Sequence, residues 1–198
     1  MTFAEILEEW AELYKPISHN PDKGSKQRAF YLIKAINMDN AFMRAQNTAK
    51  SPCMAYSIII DAEVQNHVVN YQHIVYFMSR ATQRSLAKNA KSDEDLGIDQ
   101  QQLMDGFAQD LLAYLTELKR TGKNPVTGRI YDKPTQLALQ GLQIEKCSWA
   151  SNPGVVRYGE WHLLGLKIDQ NVPISRCINK EKYLVPEAKS DDKENSTS

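Results

Sequence analysis

The chain has 198 residues, with 42% hydrophobic and 24% charged side chains, which excludes a fibrous or wholly disordered polypeptide. Lys and Arg number 24 and Asp and Glu 24, so net charge gives no case for a dedicated nucleic-acid binder. No apolar run approaches the roughly 18 residues of a membrane-spanning helix, and the acid at Glu5 with no early basic stretch argues against a signal peptide.

Thr2 and Glu5 form a capping box, and Phe3, Ile6, Leu7, Trp10, Leu13 and Tyr14 recur at helical spacing, so an amphipathic helix starts the chain. Pro16 stops it, and residues 18–25 are turn chemistry. Residues 29–36 read as a strand, with a helical segment as the alternative. Asp39 is placed to cap a short helix bearing Phe42 and Met43, which Ser51-Pro52 would break.

From Tyr56 to Gln65 the even positions Tyr56, Ile58, Ile60, Ala62 and Val64 are apolar, the period of a strand with one buried side. Asn66, His67 and Asn70 mark a turn, and Tyr71–Met78 is rich in β-branched and aromatic residues, so the two runs read as an antiparallel hairpin. In the second run Tyr71, Val75 and Phe77 lie on one face and Ile74, Tyr76 and Met78 on the other. Both faces therefore need a cover, either a helix or a neighbouring subunit.

Residues 81–98 read as a polar connector, and Asp99 with Gln102 as the cap of the strongest helix, whose stripe is Leu103, Met104, Phe107, Leu111, Tyr114, Leu115 and Leu118. Lys119, Arg120 and Gly122 suit its end. Residues 122–134 read as a protruding loop, residues 137–149 and 160–169 as two more strands, and residues 186–198 as a disordered tail after a single domain over 1–185. The expected fold is α+β: an antiparallel sheet of two hairpins packed against the long helix, with the N-terminal helix beside it.

Asp61 and Glu63, two apart on a strand, could share a metal or acid/base work, as a metal-dependent hydrolase would require; a solvated strand face has the same pattern. The Glu-x-Lys spacing of metal-dependent nucleases occurs only at Glu117–Lys119 and Glu187–Lys189, neither on a strand. His19, His67, His73 and His162 are scattered, and Cys53, Cys147 and Cys177 form no ligand spacing, so free thiols and no metal or cofactor are expected. No phosphate-binding glycine loop, nucleophile elbow or HExxH stretch occurs. Basic residues gather loosely at Lys15, Lys23, Lys26, Arg28 and Lys34 and at Arg80, Arg84, Lys88 and Lys91, without interleaved aromatic residues.

The order of elements resembles that of the tail-terminator, tail-completion and neck proteins of tailed bacteriophages. The matching pieces are Phe3–Tyr14, Pro52–Val64 with Tyr71–Met78, Leu103–Leu118, and Leu139–Trp149 with Trp161–Asp169. The resemblance spans residues 2–170 and is topological, so no functional residue carries over by a motif. It implies a non-enzymatic virion protein made in the bacterial cytoplasm. Such a protein forms a ring, commonly a hexamer, that ends or joins the tail at its head-proximal side. Its partners would be copies of itself, other proteins of the head–tail junction, and DNA touched non-specifically in the lumen. The expected contact residues are the hairpin tip (Gln65, Asn66, His67, Val68, Val69, Asn70) and the 122–134 loop (Asn124, Pro125, Val126, Arg129, Tyr131). An α+β adaptor protein of a bacterium or mobile element is the alternative.

Overall fold

The computed structural model describes residues 1–24, 28–34, 50–65, 68–80, 93–151 and 161–173. The expected short helix at Asp39, the Asn66-His67 turn, residues 81–92, Cys177 and the tail 186–198 lie outside them.

Among the described residues three α-helices and five strands make an α+β fold. Helix α1 is Phe3–Leu13, α2 is Asp93–Thr121 and α3 is Lys133–Gln140; the strands are β1 (Phe30–Lys34), β2 (Cys53–Gln65), β3 (Val68–Arg80), β4 (Ser148–Ser151) and β5 (Trp161–Pro173). The sheet order is β1-β2-β3-β5-β4. β1 runs parallel to β2, while the β2–β3, β3–β5 and β4–β5 pairs are antiparallel. The sheet is therefore mixed, which corrects the expected antiparallel one. A short apolar run identifies a strand but carries no signal for the direction of its neighbour.

β2 and β3 hold one register from Cys53↔Met78 to Ile59↔Gln72, and the ladder resumes at Glu63↔Asn70 two residues out of step. Asn70 pairs within the ladder and is not a turn residue, as it was expected to be.

Both α1 and α2 lie on one face of the sheet. Trp10 of α1 and Phe107 of α2 each meet the Phe77 ring, with centroids 6.1 and 6.0 Å away. Tyr14 joins the two helices: its ring meets Phe107 edge-on, and its hydroxyl donates to Asp110. Beneath them Met54, Tyr56, Val75, Phe77, Leu164, Leu166 and Ile168 are buried. Met54 and Tyr56 oppose Phe77 and Val75, these oppose Leu164 and Leu166, and Ile168 opposes His73, so each strand offers every second side chain to the helices.

Two helical boundaries depart from the sequence reading. α2 starts at Asp93, so Asp99 is inside the helix and cannot cap it. Residues 133–140, read partly as loop and partly as strand, form α3, capped by Asp132, which accepts the Thr135 N–H at 3.0 Å, with Pro134 in the first turn. The buried residues there are Thr135, Leu139 and Leu142, spaced four and three apart. That helical spacing overrides the weak alternation of Leu137 and Leu139.

Candidate interaction site

The loop that follows α2 is built on one acceptor. Gly122, at φ +66°, ends the helix, its N–H donating to the Leu118 carbonyl at 2.8 Å. The chain then runs out through Lys123 and back through Ile130, which form a bridge. Asn124 Oδ1 accepts from the N–H groups of Val126 and Thr127 at 2.9 and 3.0 Å, closing an Asx turn, and Gly128 supplies the positive φ of +73°. The whole turn is tied to α1 by the Glu9 carboxylate. It accepts from Asn124 Nδ2, the Arg129 guanidinium and the Tyr131 hydroxyl, each at 2.8 Å. Arg129 also lies over the Tyr131 ring, 4.9 Å from its centroid. Burial pushes the Tyr131 hydroxyl above its ordinary pKa, so it stays a donor to Glu9.

The expected contact residues of this loop divide into two sets. Asn124 and Tyr131 are 1% and 4% exposed, and their polar atoms serve the loop's own fold. Pro125, Val126 and Arg129 face solvent, and Val126 and Ile130 stand 65% and 66% exposed. The loop, expected to protrude, is a braced knuckle folded against α1 with an apolar tip.

At the other expected contact, Gln65 pairs with Val68 at the ends of β2 and β3. Val68, Val69 and Asn70 are half-buried, and Asn66 and His67 lie outside the described residues. Val69 opposes Val172 of β5, and Tyr71 opposes Gln170. Val69 and Tyr71 share the side of the sheet that carries the helices. The rings of α1 meet β3 at His73 and Phe77, and Val69 and Tyr71 lie farther along the strand toward the hairpin end.

Where the helix layer begins, a polar chain crosses the sheet. Gln170 Nε2 donates to the Ala138 carbonyl at 2.7 Å, so its Oε1 accepts from His73 Nε2 at 2.9 Å. His73 Nδ1 is then the acceptor for the Tyr56 hydroxyl at 2.8 Å. Phe3 covers the imidazole with ring centroids 4.6 Å apart. Burial holds the His73 pKa below its ordinary value, outweighing the Gln170 hydrogen bond and the Asp169 charge, which raise it. With each ring nitrogen paired to a buried neutral group, this chain orders the sheet and presents no acid or base to solvent.

The hydrolase expectation meets an irregular strand. Asp61 lies in the register shift between Ile59 and Glu63, so the two carboxylate-bearing positions do not share a regular ladder. No group of three or more His, Cys, Asp and Glu side chains is placed to hold a metal among the described residues. Burial raises the Cys53 thiol to about 12 and, chiefly by burial, the Cys147 thiol to about 11, so neither is a thiolate at neutral pH. Among the described residues no helix is long and apolar enough to cross a membrane.

Composition by element shows what whole-chain charge conceals. α1 carries Glu5, Glu8, Glu9 and Glu12 with no Lys or Arg, and α2 carries seven carboxylate residues with no cation before Lys119. Residues 119–133 reverse this, with Lys119, Arg120, Lys123, Arg129 and Lys133 against Asp132. A count of charges along the chain would have found the asymmetry; the zero net charge hid it.

No family model matches the chain, and no curated protein matches it in sequence.

Proposed function

We propose that this chain is a non-enzymatic structural subunit of the tail-terminator or neck type, which forms a ring at the head-proximal end of a phage tail. The observation that carries the reading is the length of the central strands. β2, β3 and β5 each run 13 residues, more than twice the usual five or six, and their far ends continue past the α1 contacts of β3. This three-stranded extension is tied to the turn after α3 along β5, where the Gln143 N–H donates to the Asp169 carbonyl and the Asn171 N–H to the Gly141 carbonyl, and its remaining surface is well placed to meet a neighbouring subunit. Two expected features add support. The succession of α1, the β2–β3 hairpin, α2 and the β4–β5 pair is the order that the resemblance leads one to expect, and the knuckle offers a second contact. DNA in the lumen would meet the ring without sequence preference, and other junction proteins would meet its two rims.

The test is negative-stain electron microscopy with light scattering on the purified protein. Closed rings with a central hole are the expected result. A chain that stays monomeric at all accessible concentrations, and does not bind tail tubes offered to it, would overturn the reading.

A further inference from the structure

The molecule is neutral yet polarised along α2. Its carboxylates dominate from Asp93 to Asp110, and its cations begin at Lys119 and continue into the knuckle. Part of this serves the helix itself, since acids favour its N-terminal end and bases its C-terminal end. That account stops short of Asp105 and Asp110, which lie well inside the helix, and of Lys123 and Lys133, which lie outside it.

Each pole also carries exposed apolar surface. On the basic pole Val126 and Ile130 stand out beside Lys123 and Lys133, both exposed. On the acidic pole Trp149 of β4 is 39% exposed, with its indole N–H donating to Asp105 at 3.2 Å. An exposed tryptophan held by a carboxylate is the kind of anchor that dominates interfaces. Asp105 and the end of α2 at Thr121 are separated by about 24 Å of helix. A knuckle beyond that end does not reach the Trp149 seat of its own copy.

We propose that the partner of the knuckle is a second copy of this chain. The basic, apolar tip at Val126 and Ile130 seats on Trp149 and Asp105 of the next subunit, with Lys123 and Lys133 facing its acidic helix. The contact is head to tail, so it repeats and closes into a ring if its rotation closes. This assignment rests on the ring reading above and names the surfaces that make it.

Charge exchange tests it. Both lysines are exposed, so Lys123→Glu/Lys133→Glu folds as the parent does. Alone, that variant should lose self-association by at least about tenfold, and so should Asp105→Lys. An equimolar mixture of the two should associate, because each supplies the face the other lacks and the reversed faces attract. Association of the parent should weaken between about 50 and 500 mM salt. Rings from the lysine variant at the parent's concentration would overturn the interface and leave the ring reading standing. A mixture that pairs but never closes would uphold the interface and overturn the ring. No association of the parent or of the mixture would overturn both.

Discussion

At the residue scale, two polar side chains do more than their exposure suggests. Glu9 is the common acceptor for Asn124, Arg129 and Tyr131. Glu9→Ala leaves the Tyr131 hydroxyl and the Asn124 amide, both on buried residues, without that partner, and an unmade buried hydrogen bond costs ~1–3 kcal/mol. We expect a fall in unfolding free energy of about that size by urea titration, and faster amide exchange at Val126–Arg129 than in α1. An unchanged exchange pattern would show that the Asx turn and Gly128 hold the knuckle without Glu9. His73 governs the response to acid. Its pKa is lowered in the folded chain by burial, so the unfolded chain binds the proton more tightly. The contribution is complete above the unfolded value of about 6.5 and is lost as pH falls from there through the folded value. Stability measured from pH 7 to pH 5 should therefore decline, and His73→Gln should remove part of that slope.

At the element scale, the sequence was most legible where one periodic signal had no competitor. The Thr2–Glu5 capping box and the stripe from Phe3 to Tyr14 give α1, and both hydrogen bonds of the box are present. The stripe from Met104 to Leu118 is the buried face of α2. β1 was readable as a strand at Phe30–Lys34 but not as a parallel one, because direction is set by what the intervening chain does. α3 was missed because Asp132 with Pro134, a helix start, was absorbed into a run of turn residues. The contact surfaces were half legible. Turn chemistry marked the 122–134 loop, but nothing local says that Glu9, more than a hundred positions earlier, braces it. The close approach at Gly141 was equally invisible. A Cβ there would lie 2.0 Å from the Asn171 carbonyl oxygen, and the Asn171 N–H donates to Gly141 O at 2.8 Å. Gly141→Ala should push the turn after α3 off β5 and lower stability by ~1–3 kcal/mol, an overpacking cost. A melting temperature equal to the parent's would show that the turn relaxes freely.

At the scale of the whole molecule, the helix layer and the contact surfaces separate. Most of the core lies between the sheet and α1 and α2, while Cys53, Ala55 and Met78 are buried on the other face of β2 and β3; neither Val126 nor Val69 is part of it. Val126→Glu and Val69→Glu should therefore spare the fold while weakening assembly. Val126 is 65% exposed and Val69 is half-buried on the extension. Circular dichroism should match the parent, and sedimentation should show smaller species. Assembly unchanged in both variants would place the subunit contacts elsewhere.

The sheet order has a consequence for the chain during synthesis. β3 lies at the centre of the sheet, between β2, which leaves the ribosome just before it, and β5, which leaves some 80 residues after it. Until Trp161–Pro173 emerges, the nascent β3 has one bare edge of 13 residues, with Val75 and Phe77 unsheltered by Leu166 and Leu164. Long-range pairing of this kind is slow to form, and a bare edge invites pairing with a neighbouring chain. Translation that stalls or terminates before β5 leaves a fragment prone to aggregate, so the arrival of β5 sets when that edge is covered.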